Sequence, residues 1–267
     1  MNYKALRNGA TVLSIFAVAA LFVALALGQG RGGGQAGPPP SPKDAAPMDL
    51  TGYWVSIVTE DWRYRMVTPA KGDYASVPLN AEGRKVADTW DPAKDEASGS
   101  QCKSYGAAAL MRVPGRLHIT WADDNTLKIE ADAGTQTRLL HFGAAQPSAG
   151  EPTWQGSSAA LWDVPPAGRG MGGGAAVRPG QPRAGTLKVV TTHMRPGYLR
   201  KNGVPYSGNA TVTEYFDRTN EPNGDSWLIV TTIVNDPQYL QQEFVTSTHF
   251  KKQADATGWA PTACEAR

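Results

Sequence analysis

Thr186-Leu-Lys-Val-Val-Thr-Thr-His-Met194, Ala210-Thr-Val-Thr-Glu-Tyr-Phe216 and Trp227-Leu-Ile-Val-Thr-Thr-Ile-Val234 decide how this chain folds, and Phe244-Val-Thr-Ser-Thr-His-Phe250 extends the series. All four are rich in Val, Ile, Thr and aromatic residues, and turn formers separate them. Branched and aromatic side chains suit a pleated, half-buried surface, so these segments read as consecutive antiparallel strands. Arg195 to Tyr206 joins the first two, with a tight turn at Asn202-Gly203, and Asp217 to Asp225 reads as a polar connection.

The chain before this stretch reads the same way. Asp49-Leu-Thr-Gly-Tyr-Trp54 opens a first strand that runs through Thr59. After a turn at Pro114-Gly115 comes a strand to Trp121, then a turn at Asp123-Asp-Asn125, a hairpin partner from Thr126 to Ala131, and a further strand from Gln136 to Phe142. Leu117, Ile119 and Trp121 share one face, as do Leu127 and Ile129, while His118, Thr120, Lys128 and Glu130 lie on the opposite, solvated side. One helix is predicted over Asn80 to Trp90, with Asn80 as its cap; Asp91-Pro92 ends it and a loop follows to Gln101. Trp154 to Trp162 leads into residues 165–185, nearly all Gly, Pro, Arg and Ala, a flexible insertion inside a hairpin whose second strand starts at Thr186.

Residues 1–30 have the order of a secretory signal: basic Lys4 and Arg7, an apolar run from Ala10 to Leu27, and small residues at its end. An uncleaved N-terminal anchor is the alternative, and the one route by which the sequence predicts membrane contact. Residues 31–48 are Gly- and Pro-rich and read as a disordered linker, which leaves residues 49–267 as a single β-barrel domain. In an exported chain the two cysteines, Cys102 and Cys264, are expected to form a disulfide. With 26 basic and 24 acidic residues the formal charge is +2, so nothing in the charge balance calls for a nucleic-acid partner.

The histidines, His118, His141, His193 and His249, lie at no metal-ligand spacing, so no metal or cofactor is predicted. By alternation His193 shares a face with Leu187 and Val189, and His249 with Val245, so the pair either meets inside a barrel or sits as ordinary surface or satisfied histidines. Glu214 alternates with Val212 and Phe216 and therefore points where apolar residues point. A buried carboxylate needs a partner, and Arg195 or Arg200 is expected to supply it. Glu60-Asp-Trp-Arg-Tyr-Arg-Met66 has two readings: a cavity mouth with Arg63 and Arg65 as anion donors, or a strand edge where Trp and Tyr cover arginine stems.

Gly52-Tyr53-Trp54 at the start of the first strand resembles the Gly-x-Trp opening motif of lipocalins, although a helix follows where a lipocalin continues its strands. More broadly, residues 49–267 resemble a family of bacterial exported proteins with a lipocalin-like (calycin-like) barrel. The residues carrying it include Leu79-Asn-Ala-Glu-Gly83, Val113-Pro-Gly-Arg116, Trp154-Gln-Gly-Ser157, Tyr198 to Ser207, Glu214, Asp236-Pro237 and Cys264-Glu265. The resemblance implies a fold and a compartment, and it brings no catalytic residues. In that family a short turn joins the Trp162 region to the Thr186 strand, and here the Gly/Pro insertion replaces it.

The expected protein is therefore a monomeric antiparallel barrel, periplasmic or secreted, that binds a small, partly apolar molecule in its cavity. Trp54, Trp154, His193, Glu214, Trp227 and His249 are its candidate lining. The rival readings are an enzyme using Glu214 and a histidine as acid and base, and a non-catalytic scaffold with a filled barrel. A one-residue shift in register would invert each facing assignment.

Overall fold

The computed structural model describes residues 38–143, 150–165 and 184–267. The predicted signal at 1–30 and the insertion at 166–183 lie outside the described residues. Gly52–Ile57 form β1, and three short helices follow: α1 (Trp62–Arg65), α2 (Ala81–Ala87) and α3 (Pro92–Ala97). After 3-10 turns at Gln101–Tyr105 and Leu110–Arg112 come β2 (Arg116–Asp123), β3 (Thr126–Ala131), β4 (Gln136–Phe142), β5 (Ser157–Asp163) and β6 (Thr186–Thr192). A small hairpin, β7 (Gly197–Arg200) and β8 (Val204–Tyr206), precedes β9 (Thr211–Asn220), β10 (Ser226–Asn235) and β11 (Phe244–Gln253).

Nine of these strands close into a barrel in the order β1-β11-β10-β9-β6-β5-β4-β3-β2, and β7 and β8 pair separately. Strands that alternate in direction around a ring return in phase only when their number is even, so nine strands require a parallel junction. It falls between β4 and β5, where Leu140, His141 and Phe142 lie opposite Ser158, Ala159 and Ala160. The other junctions are antiparallel. The barrel is thus mixed rather than wholly antiparallel as the sequence suggested.

The four strands that decide the fold are present, and three of them, β9, β10 and β11, are longer than expected. β9 continues to Asn220 and β10 begins at Ser226, because Asp217, Arg218 and Thr219 remain paired with Ile229, Leu228 and Trp227. β5 and β6 form the expected hairpin, with Asp163 opposite Thr186. Asn80 caps α2 by accepting the Gly83 amide at 2.8 Å. Asp91-Pro92, expected only to stop that helix, opens α3 instead: Asp91 accepts the Ala93 amide at 3.1 Å and Pro92 takes the first turn, where no amide is missed. Residues 40–48 belong to the compact unit Pro40–Arg267; Trp162 donates to the Pro42 carbonyl at 2.7 Å and Met48 packs on the core.

Apolar side chains collect in two clusters. Inside the barrel, Trp54, Ile119, Ile129, Leu140, Leu187, Phe216, Val230 and Phe250 are essentially inaccessible. At one end, Leu79 and Ala87 join Leu199, Val204, Tyr206, Val212, Val234 and Phe244 in a cap beneath α2 and the β7–β8 hairpin. The hairpin turns at Gly203, whose φ of +81° and closeness to Trp90, 2.2 Å from an imagined Cβ, admit no side chain. Cys102 and Cys264 are disulfide-bonded across a sequence separation of 162. Among the described residues no helix is long and apolar enough to cross a membrane.

Replacing both Cys102 and Cys264 with Ser is expected to lower stability by about 2–5 kcal/mol while leaving the far-ultraviolet circular dichroism of the barrel intact, since a bridge over so long a loop acts chiefly on the unfolded chain. Urea titration of the two proteins measures the difference.

Candidate ligand pocket

The barrel interior carries a polar layer between its two apolar clusters. Glu214 on β9 is fully buried, as the alternation required. Its partner is neither Arg195 nor Arg200 but Arg138 on β4, which is 1 % exposed. The guanidinium grips the carboxylate with two bonds, Nη1 to Oε1 at 3.0 Å and Nη2 to Oε2 at 2.6 Å. Arg138 Nη2 also donates to Thr191 Oγ1 at 3.3 Å, and Thr191 meets Ser158 Oγ at 2.7 Å. Thr232 and Thr248 complete the layer from β10 and β11. Arg195 lies instead on the outside, 4.7 Å above the Trp154 ring, and Arg200 sits on the β7–β8 hairpin.

Of the six candidate lining residues, Trp54 and Glu214 point inward, both into packed surroundings. Trp54 donates its indole N–H to the Leu50 carbonyl at 2.9 Å. The other four lie outside the lumen. Trp227 alternates with buried Leu228 and lies under Lys251, 5.9 Å from its ring. His249 alternates with buried Thr248 and Phe250, on the face where Val245 is exposed. Trp154 precedes β5 and donates to the Pro196 carbonyl at 3.2 Å. His193 follows the last residue of β6 with a positive φ of 56°, which breaks the alternation that would have turned it inward. Its Nε2 lies 2.6 Å from the Gly150 carbonyl, so that nitrogen carries the proton. His193 lines an outer cleft of about 410 Å³ with Thr137, Leu139 and His141 of β4. Glu214 and the histidines are therefore on opposite sides of the barrel wall. No group of three metal-ligating side chains gathers among the described residues.

A second, smaller pocket, of about 40 Å³, forms at the capped end, where the segment Glu60–Thr68 lies against the Ser104–Pro114 region and β7. Within it Trp62-Arg-Tyr-Arg65 makes α1 rather than a strand edge, and Arg65 turns inward while Arg63 stays outside, paired with Asp73 at 2.9 Å. Arg65, Arg112 and Arg200 converge on the pocket, each less than one-tenth exposed. Arg65 donates through Nε to the Arg112 carbonyl at 2.8 Å and through Nη1 to Glu60. Arg112 donates to Asp61 at 3.1 Å, and Arg200 Nη2 lies 3.9 Å from the same carboxylate oxygen. Arg200 Nη1 donates to the Ala75 carbonyl at 2.6 Å, and its guanidinium lies 4.3 Å from the Tyr64 ring centre.

Four guanidinium nitrogens at this place, Arg65 Nη2, Arg112 Nη1 and Arg200 Nε and Nη2, are buried without a hydrogen-bond partner. A buried charged donor left unpaired costs free energy. Burial, reinforced by neighbouring Arg112, pushes the Arg200 guanidinium down to about 10 against the pull of Asp61. Asp61 holds a left-handed backbone, φ 49° and ψ 28°, a conformation that is uncommon for a residue with a side chain and that gathers at binding sites. Val67, Val113, Pro114 and Leu199 supply the apolar part of the lining. His249 touches this site indirectly: its Nδ1 lies 3.3 Å from the second Glu60 oxygen.

Sequence reasoning reached Arg65 but not Arg112 or Arg200 as its companions. Arg138 was legible in principle, since it alternates with Leu140 and Phe142 on β4. No family model matches the chain, and no curated protein or solved structure gives a significant match.

Two outcomes follow from these contacts. Glu214→Gln is expected to destabilise the protein by about 3–5 kcal/mol, because Arg138 keeps its charge in an apolar barrel. Arg138→Met combined with Glu214→Leu is expected to recover most of that loss in urea titrations. Tyr74, next in the chain to the Ala75 carbonyl that Arg200 bonds, donates to Asp88 at 2.8 Å. Burial and that bond raise the phenol from 10.0 to about 12. A raised folded-state value stabilises the neutral form. The contribution is therefore complete below the unfolded value near 10 and is lost as pH rises through about 12. The stability difference between wild type and Tyr74→Phe should accordingly shrink across that alkaline range, followed by urea titration.

Proposed function

We propose that the protein is exported and binds a small, partly apolar molecule, in the arginine-lined pocket at the capped end and not in the lumen. The observation that carries this reading is that three buried arginines line one pocket that also has apolar walls, and that four of their nitrogens lack a hydrogen-bond partner. Such a mixture, an apolar lining with a few convergent polar groups, is what small-molecule sites are built from. The lumen offers less: apart from Arg138 Nε and Thr232 Oγ1 its polar layer is hydrogen-bonded within itself, and its apolar side chains are packed. The disulfide accords with an oxidising compartment. The resemblance to exported calycin-like proteins supports the same compartment, and membership of that family is part of the proposal.

The test is a thermal-shift screen of small organic molecules, neutral and charged, against wild type, Arg200→Gln and the lumen double variant Arg138→Met/Glu214→Leu. Binders are expected to raise the melting temperature of wild type and of the lumen variant and to lose that effect in Arg200→Gln. Binders that survive Arg200→Gln and vanish in the lumen variant would return the site to the barrel interior and sink the proposal.

A further inference from the structure

We propose that the group held in this pocket is the carboxylate of a singly charged organic acid, whose hydrocarbon part leaves the pocket along Val67 and Met66 towards Trp62. The inference rests on the pocket reading above and narrows it to a chemical class.

Charge sets the first limit. Three buried guanidinium groups face two carboxylates, Glu60 and Asp61, which leaves a single positive charge in excess in the buried cluster. Lys201 also lines the pocket; it is half-buried, and its ammonium lies over the Tyr105 ring at 5.1 Å, apart from the cluster of three guanidinium groups and two carboxylates. A monoanion neutralises the buried cluster, whereas a dianion overshoots it and meets Glu60 and Asp61 as like charges. Geometry sets the second limit. The unpaired donors are guanidinium N–H groups, whose flat fork matches the two oxygens of a carboxylate. On Arg200, Nε and Nη2, the adjacent donors such an edge-on contact uses, both lack a hydrogen-bond partner, with Nη2 3.9 Å from Asp61.

The third limit is apolar. Trp62, Met66 and Val67 are 63 %, 59 % and 65 % exposed, and they fall within six residues of chain directly beside the pocket. Large apolar groups exposed together mark a surface that something covers. Val67 belongs both to this patch and to the pocket wall, so the two are continuous. A headgroup-sized pocket opening onto an apolar track fits an amphiphile with a carboxylate at one end.

The test uses calorimetric titration of the full protein with decanoate, acetate, decanol, decyl phosphate and inorganic phosphate, and sedimentation with phosphatidylglycerol vesicles. Decanoate should bind, with acetate and decanol each weaker by about tenfold or more, since one lacks the tail and the other the charge. Decyl phosphate should be weaker than decanoate, and inorganic phosphate and vesicles should not bind. Arg200→Gln should weaken decanoate about tenfold or more at unchanged circular dichroism. Val67→Asp changes an exposed position and should weaken decanoate more than acetate, which keeps the test valid if the arginine variant fails to fold.

Decanol binding as tightly as decanoate, with both lost in Arg200→Gln, would overturn the carboxylate and leave the pocket standing. Inorganic phosphate or decyl phosphate binding more tightly than decanoate would replace the carboxylate with a phosphoryl group. Vesicle binding without decanoate binding would assign the patch to a lipid surface and overturn the proposal. No binding of any probe would reduce the arginines to a structural ion cluster and overturn this inference and the pocket reading together.

Discussion

Arg138 and Glu214 meet in the middle of the barrel with both of their charges out of water. Neither is tolerable there alone, and each satisfies the other through two parallel hydrogen bonds. The pair joins β4 to β9 across the interior, so strands far apart in sequence must arrive in one register. It also fills space. With Thr191 and Ser158 bonded to its edge and Thr232 opposite Glu214 on β10, the pair forms a plug between the barrel core and the cap. Net stabilisation from such a pair is small against apolar alternatives of the same volume, but its directional demand on the strands is strict.

That layer closes the lumen, and the pocket proposed for a ligand lies at the barrel's end. The cap is made from the chain between β1 and β2, together with the β7–β8 hairpin, which pairs separately from the barrel. Connecting segments of this kind carry function on many scaffolds because a rigid frame positions them. Here the frame supplies Phe244 beneath the Arg112 guanidinium and the packed cluster around Leu199 and Val204. The three arginines are held from three separate segments, and Asp61 adopts a left-handed backbone where it meets two of them.

The strands were legible because their composition is. Four runs of Val, Ile, Thr and aromatics gave β6, β9, β10 and β11, Asn80 announced a helix, and two cysteines in a chain whose start reads as a secretory leader gave the bridge. Facing was harder. On β10 and β11 threonines point inward, at Thr232, Thr246 and Thr248, while Ile229, Ile233 and Val245 sit on the outer wall. Alternation then separates two faces without saying which is inner, and His249 and Trp227 follow the wrong face. His193 failed differently, since a positive φ one residue beyond β6 cannot be read from Thr-Thr-His-Met. The companions of Arg65 and the partner of Glu214 depend on closure, which joins residues 47 and 76 positions apart.

Odd parity divides the wall into two runs of strands. β2, β3 and β4 form one meander, and β5, β6, β9, β10 and β11 form the other; they touch along the parallel β4–β5 junction and are bridged on the far side by β1, which pairs with both β2 and β11. β1 is therefore a keystone set between two arches, and the molecule has two seams. The cystine sits by the β3–β4 turn, where Gln136 Nε2 approaches Cys264 Sγ at 3.4 Å and Gln155, shortly before β5, donates to Gln136 at 2.9 Å, so it braces one end of the β4–β5 seam rather than the keystone. That seam has a short register of three residue pairs and runs beside the cleft that His141 and His193 share, so the wall is joined there by the fewest ladder contacts and by the cystine at its end.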